Sequence, residues 1–133
     1  MKRKLPRHAF ESLAGFRYAL RKFLRFSKDY LTSVSMTPEQ YEALLALRAA
    51  PSPLTIGALS ERLQVKHHSA ISLVNKLEQR ALIRRIRAEI DRRMVHLELT
   101  KQGETVIQQL AQAHHQRACE LRDEIVAALR RLG

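Results

Sequence analysis

Residues 54–99, LTIGALSERLQVKHHSAISLVNKLEQRALIRRIRAEIDRRMVHLEL, decide the fold of this chain. They predict two short helices, over 55–63 and 67–79, joined by a tight turn at Gln64 and Val65. Two β-prone runs follow at 82–87 and 94–99, with residues 88–92 as the tip between them. In the second run apolar and polar residues alternate, which is typical of a half-buried strand. This order predicts a helix-turn-helix followed by a wing.

The helix predicted over 67–79 has two faces of different chemistry. Four apolar residues at helical spacing predict its buried face: Ala70, Leu73, Val74 and Leu77. The opposite face is polar and free of acidic groups: His68, Ser72, Asn75 and Gln79. Such side chains can pair with base edges in the major groove, whereas an ordinary solvated helix usually mixes in acidic residues. We therefore predict a DNA-reading helix, with further contacts from neighbouring residues: Lys66, His67, Ser69, Lys76 and Arg80.

Arginine dominates the hairpin that follows. Residues 80–93 contain six arginines against two acidic residues: Arg80, Arg84, Arg85, Arg87, Arg92 and Arg93. An arginine on a narrow loop can enter a minor groove, where the potential is most negative. Charged residues also protect exposed strand edges, and for Arg84 this alternative stays open. Besides Arg80, DNA contacts are predicted for four of these arginines: Arg85, Arg87, Arg92 and Arg93.

Further helices are predicted on both sides of this segment. The helix over 8–33 has apolar residues on more than one face, so it must be covered on several sides, one of them by a second subunit. Thr37, Pro38 and Gln40 indicate a capped helix start, and Pro51 ends that helix. Thr100 caps a last long helix to about residue 122, and a shorter helical piece covers 123–132. The predicted fold class is mainly α with a small β-hairpin wing.

The composition indicates one basic globular domain. The 133 residues include 24 Lys and Arg against 13 acidic residues, for a formal net charge of +11. Such a field attracts nucleic acid or anionic membrane, although a merely soluble basic protein shares it. Without a signal-peptide pattern or membrane span, we expect a cytoplasmic protein with no membrane partner. Because phosphate loops, paired carboxylates and activated nucleophiles are missing from the sequence, we expect no enzyme and no cofactor.

The histidines and the single cysteine suggest sensing roles. His67 and His68 could make DNA binding pH-sensitive, but we expect neutral contact residues. His115 and Cys119 lie one helical turn apart and have no third strong ligand in the sequence, so we expect no metal site. Cys119 is expected to be a small interface residue rather than a redox switch.

From about residue 10 onward the sequence resembles the MarR family of bacterial regulators. Three stretches carry the resemblance: MTPEQYEALL over 36–45, the helix-turn-helix ending in LVNKLEQRALI over 73–83, and DRR over 91–93 with LELTKQG over 97–103. The resemblance implies one domain over 1–133, an obligate homodimer held by 8–33 and 101–132, and a DNA-binding lobe over 37–100. It also implies that recognition helices enter successive major grooves and wings enter the flanking minor grooves.

The resemblance also assigns roles to individual residues. It implies that Asp91 braces Arg93 within the wing, that Arg92 is left for DNA, and that Thr55 lies near a phosphate. The family's usual glycine in the turn is Gln64 here, and a positive φ at that residue would cost about 1 kcal/mol. The family's Ser/Thr-rich opening of the recognition helix is KHHS over 66–69, which we expect to change the operator sequence rather than the binding mode.

A small-molecule pocket between the first helix, the dimer helices and the DNA lobe is a further implication of the resemblance. Arg17 and Arg21 lie one turn apart and could clamp the carboxylate of a small aromatic or anionic effector. The alternative is a solvated basic face that adds to the field attracting DNA.

We therefore expect a ligand-responsive homodimeric regulator, a repressor rather than an activator, that binds a pseudo-palindromic operator in double-stranded DNA. The alternative is an architectural or protein-interaction module that uses the same fold without strong sequence preference. The polar face of the recognition helix argues against that alternative.

Overall fold

The computed structural model describes residues 3–91 and 93–132. Five helices and one hairpin follow in the order α1 (Arg7–Ser33), α2 (Pro38–Ala49), α3 (Ile56–Leu63), α4 (His67–Gln79), β1 (Ile83–Arg87), β2 (Val95–Leu99) and α5 (Lys101–Arg130). The predicted class, mainly helical with a two-stranded wing, is confirmed. No helix within the described residues is long and apolar enough to cross a membrane.

The end of the chain differs from the prediction, because α5 is one continuous helix where a separate piece over 123–132 was expected. No proline or glycine interrupts the sequence near residue 122, so nothing there removes a helical hydrogen bond. Leu121 and Ala128 are both buried along the same helix, and Ala128 lies close to Gly15 of α1. Packing against α1 therefore continues along the second half of α5.

Local capping explains where the helices begin and end. Thr37 and Gln40 form the predicted capping box at the start of α2, with the Thr37 Oγ1 accepting from Gln40 N at 3.1 Å. Gln64 ends α3 in the left-handed region, with φ 55° and ψ 46°. The positive φ that was considered for this non-glycine residue is therefore present. Thr100 caps α5 by accepting from Gly103 N at 2.9 Å.

The core lies where α2, α3, α4 and the hairpin meet the first half of α5. Its fully buried side chains come from every one of these elements and include Leu44, Leu59, Leu77, Leu97 and Ile107. Burying each such side chain contributes about 1.5–3 kcal/mol. The DNA-binding lobe predicted from the sequence thus shares one core with the start of the last helix.

The hairpin is fixed beside this core through a third strand-like segment. β1 and β2 are antiparallel, with Ile83 opposite Leu99 and Arg85 opposite Leu97. Leu97 N also donates to Leu54 O at 2.8 Å, just before α3 begins. This bond ties the base of the wing to the helix-turn-helix and sets the wing next to α4.

One face of α1 is left uncovered by residues 3–91 and 93–132. While its inner face packs on α5, four large apolar side chains on the outer face are 39–59% exposed: Phe10, Leu13, Leu20 and Leu24. Arg17 and Arg21 lie within the same face, since they recur at helical spacing with these residues. Leu129 and Leu132, beyond the last buried residue of α5, are exposed as well.

Candidate nucleic-acid interface

The outer face of α4 is the centre of the candidate interface. Ala70, Val74 and Leu77 are fully buried against the core, and Leu73 is half-buried. Their burial turns the opposite face outward, so that the polar residues predicted to read DNA are all exposed: His68, Ser72, Asn75 and Gln79. The structure therefore presents amide, hydroxyl and imidazole groups together on one accessible helical surface.

The start of α4 offers an anion-binding environment. Lys66 is the N-cap and makes no side-chain cap hydrogen bond, and no acidic residue lies in the first turn. His67 and Ser69 are exposed beside the free backbone N–H groups of that turn. Helix N-termini carry a partial positive charge that favours phosphate groups, so these residues lie where a DNA backbone would be stabilised.

Thr55 has a structural role at the start of α3. Its Oγ1 accepts from Ala58 N at 3.1 Å, which caps the helix. The hydroxyl hydrogen remains available as a donor after this bond is made. Cap formation is therefore compatible with the predicted phosphate contact.

Arg80 forms hydrogen bonds within the protein. Its Nη1 donates to Ser35 O at 2.8 Å and to Gln40 Oε1 at 3.0 Å. These bonds join the end of α4 to the turn between α1 and α2. A phosphate contact by Arg80, as predicted, would require it to share or release these partners. Lys76, in contrast, is exposed on the side of α4 that faces α2.

Arg84 and Arg85 take opposite directions from β1. Arg84 donates to Glu98 Oε1 at 2.6 Å, and Glu98 is the residue directly opposite it in the hairpin. Arg85 donates to Glu78 Oε1 at 2.7 Å and to Asn75 Oδ1 at 2.8 Å, both on α4. For Arg84 the sequence left two roles open, DNA contact or protection of the strand edge, and its ion pair with Glu98 fits the second. Arg85 instead connects the wing to α4.

The tip of the wing is organised by Asp91. Its Oδ1 accepts from Arg93 N at 3.0 Å and from Arg93 Nε at 3.2 Å. Ala88 N donates to Met94 O at 3.0 Å and closes the hairpin. Arg87 is exposed at the end of β1. Arg92, predicted to contact DNA from the tip of the wing, lies outside the described residues.

Ile71 is a surface residue of α4 that the sequence reasoning did not single out. It is 36% exposed and lies one helical turn before Asn75. An apolar side chain at this place can contact the methyl group of thymine. The sequence could have indicated this exposure, because Ile71 does not share the helical spacing of the buried residues Ala70 and Val74.

His114 was also missed as a structural residue. It is 3% exposed, and its ring stacks on Tyr41 with a centroid separation of 4.1 Å. Its Nδ1 lies 2.7 Å from Leu110 O, which can only accept, so Nδ1 carries the hydrogen. Nε2 lies within hydrogen-bond distance of the Ser27 hydroxyl oxygen, at 2.8 Å. This buried histidine joins α1, α2 and α5, and its spacing from the buried Ile107 and Leu110 could have indicated its burial.

Two neighbouring groups on α2 have raised pKa values. Burial raises the pKa of the Tyr41 hydroxyl, and the nearby Glu42 carboxylate adds to the effect. Burial also raises the pKa of Glu42, with a further contribution from Glu39. Glu39 and Glu42 line a cleft of about 420 Å³ between α2 and α4, which places negative charge beside the recognition helix.

The predicted effector arginines do not enclose a pocket in this chain. Arg17 and Arg21 line an open cleft of about 360 Å³ whose described lining residues all come from α1. A larger cleft of about 650 Å³ lies between α1 and α5 and includes Arg25, Tyr30 and Arg117.

Cys119 Sγ lies 3.8 Å from His115 Nδ1 on the exposed side of α5. Within the described residues, no group of three or more His, Cys, Asp or Glu side chains could hold a metal ion.

Comparison with known proteins gives consistent matches. Residues 34–94 match the sequence model of the MarR family. The HTH-type transcriptional repressor MdtR of Bacillus subtilis is 32% identical over 85 residues, which are 62% of this chain and 54% of MdtR. Matches of this kind span about half the length of the curated relatives.

Solved structures show the same architecture. A MarR family protein from Bacillus stearothermophilus superposes with a TM-score of 0.77 and 26% identity, covering 96% of this chain and 92% of that one. The MepR–DNA complex of S. aureus gives a TM-score of 0.71 at 23% identity, covering 82% of this chain and 80% of that one. The latter likeness concerns the fold alone.

Proposed function

This chain belongs to the MarR family, and we propose on that premise that it is a sequence-specific DNA-binding regulator that represses transcription as a homodimer. One observation carries the proposal: the exposed face of α4 is polar, lacks acidic side chains and is linked directly to an arginine-rich wing. A relative, MdtR, is a repressor, and MepR of the same fold has been solved with DNA. Acting on a chromosome in this way, the protein would work in the bacterial cytoplasm.

Phosphate contacts would supply most of the affinity, and base contacts would supply the selectivity. The proposed partners of the DNA phosphates are the half-buried hydroxyl of Thr55 and the exposed cations around α4 and the wing: Lys66, Lys76, Arg87 and Arg93. The proposed base readers are the outward residues of α4: His68, Ser72, Asn75 and Gln79. Repression would follow where the bound protein covers a promoter and blocks polymerase.

The homodimer is supported by the uncovered apolar face of α1. Side chains of this size that remain 39–59% exposed along one helical face are typical of an interface rather than of solvent-facing helix. The two recognition helices of such a dimer must lie about 34 Å apart to enter successive major grooves. An effector would release DNA by favouring a dimer with another spacing. Arg17 and Arg21, within the same face, could bind an anionic effector only where the second subunit leaves them accessible.

Changing Leu24→Glu tests the dimer. A carboxylate within the proposed interface would be desolvated without a partner, so we expect a shift from dimer to monomer in analytical ultracentrifugation at micromolar concentration. Leu45→Glu, at a comparably exposed leucine on α2, is the matched control and should stay dimeric. A Leu24→Glu protein that sediments as a stable dimer would rule out this interface.

Selection of duplexes by the purified full-length protein tests the function. We expect enrichment of an inverted repeat with half-sites about ten base pairs apart. Affinity should also fall steeply with salt, because bound counterions are released. A steep salt dependence with no enriched motif would refute sequence reading and favour the architectural alternative.

A further inference from the structure

Arg85 on the wing lies against two side chains of the recognition helix. Its Nη1 donates to Glu78 Oε1 at 2.7 Å and its Nη2 donates to Asn75 Oδ1 at 2.8 Å. The side chains of Arg85 and Glu78 are 33% and 37% exposed, so this contact is partly shielded from water. The Glu78 carboxylate anchors the guanidinium group, and the guanidinium group in turn holds Asn75.

This contact fixes which way the Asn75 amide faces. A guanidinium group has donors and no acceptor, so the amide atom against it must be the oxygen, however the two ends are assigned. Turning the amide over would place its N–H groups against those of Arg85. The Nδ2 group therefore remains for another partner, and no described residue accepts a hydrogen bond from it.

The position of Asn75 on the helix decides where Nδ2 lies. Successive residues of an α-helix are rotated by about 100°, which places Asn75 between Gln79, at the centre of the exposed face, and Glu78, on the side of the wing. Arg85 holds the oxygen on the wing side. The nitrogen is consequently left on the side of the exposed face that would meet DNA.

We propose that Arg85 makes Asn75 a hydrogen-bond donor toward DNA, so that this position selects guanine or thymine over adenine. The inference rests on the proposed function. An unrestrained Asn pairs with adenine by accepting from N6 and donating to N7, which requires both amide atoms to face the base. Guanine offers the acceptors N7 and O6, and thymine offers O4. Arg85 is thereby a positioning residue that sets specificity through Asn75.

The test is sequence selection by the full-length protein and its variants. The base position contacted by Asn75 is the one whose preference is lost in Asn75→Ala. We expect guanine or thymine there for the unmodified protein. In Arg85→Ala the amide can turn, and adenine should gain about tenfold relative to guanine or thymine at this position alone. Arg85→Lys keeps the charge but lacks the planar two-pronged donor group, and it should give the same change if the alanine variant fails to fold.

Arg84→Ala is the matched control, because it removes the same charge from the same strand without touching Asn75. It should leave the base preference unchanged. Adenine at the Asn75 position of the unmodified protein, or the same preference in every folded Arg85 variant, would overturn the inference while sequence reading stands. If the unmodified protein selects no sequence, the proposed function is wrong and the inference falls with it.

Discussion

Replacing Gly103 by alanine tests the junction between the wing and the last helix. Gly103 is buried in the first turn of α5, and a Cβ there would overlap Leu82 O and lie 3.0 Å from Leu82 C. The obstacle is backbone that cannot easily yield, because Leu82 O accepts from Thr100 N at 3.0 Å and Leu82 N donates to Leu77 O at 3.0 Å. Relief of the clash must therefore separate α5 from the base of the hairpin.

The expected net loss is about 3 kcal/mol. Overpacking against side chains that can move costs about 1–3 kcal/mol. Because the obstacle here is backbone, we expect a cost of about 3 kcal/mol from the clash. A disrupted buried hydrogen bond adds about 1 kcal/mol, whereas the better helix propensity of alanine returns at most about 1 kcal/mol. A whole domain is stable by about 5–15 kcal/mol, so the expected loss is a large fraction of the free energy of unfolding.

Thermal and urea unfolding at a fixed protein concentration would measure the loss, because the stability of a dimer depends on concentration. We expect Tm to fall by about 10 °C. Gly15→Ala is the matched control: its Cβ would meet Ala128 Cβ at an ordinary 3.7 Å, so it should stabilise α1 by about 0.5–1 kcal/mol. A Gly103→Ala protein as stable as the unmodified one would refute the close-packing explanation.

Three further changes probe other parts of the structure. Ser27→Ala leaves the buried Nε2 of His114 without its hydrogen-bond partner and should destabilise the protein by about 1–3 kcal/mol in urea unfolding. Gln64→Gly relieves the positive φ of the turn and should raise stability by up to about 1 kcal/mol. Glu42→Gln should raise Tm slightly at pH 7, because partial burial, with a contribution from Glu39, raises the pKa of this largely exposed carboxyl and folding therefore disfavours its charged form. That advantage should disappear in acid, below the ordinary Glu value of 4.5, where Glu42 is protonated in both folded and unfolded protein.

Each of these changes has a control of the same chemistry. Ser33→Ala removes an exposed hydroxyl from α1, and a loss as large as that of Ser27→Ala would contradict a special role for the His114 contact. Gln109→Gly acts at an exposed position within the regular helix α5 and should cost about 1 kcal/mol, opposite in sign to Gln64→Gly. Glu89→Gln removes an exposed charge from the hairpin. If it stabilises as much as Glu42→Gln, with the same pH dependence, burial of Glu42 is not the cause.

Much of the fold could be predicted from the sequence because its signals are local. The Thr37 capping box, the Gln64 turn and the Thr100 cap depend on residues three or four positions apart, and all three are present in the structure. The buried stripe of α4 follows from helical periodicity alone. The predicted break near residue 122 was wrong. The local pattern of apolar residues suggested a separate helix there, but α5 continues because it keeps packing on α1.

The partners of individual charged and polar side chains could be decided only by the tertiary structure. Arg80, Arg84 and Arg85 look equivalent in the sequence, yet one binds the turn after α1, one binds Glu98 and one holds Asn75. His114 acquires its role from Ser27, 87 positions away in the chain. A long cationic side chain has several acceptors within reach, and the folded backbone selects one by bringing distant elements together. The sequence by itself therefore determined which face of α4 is buried and which polar face is exposed, and the packing of the wing against that helix determined how its side chains are held.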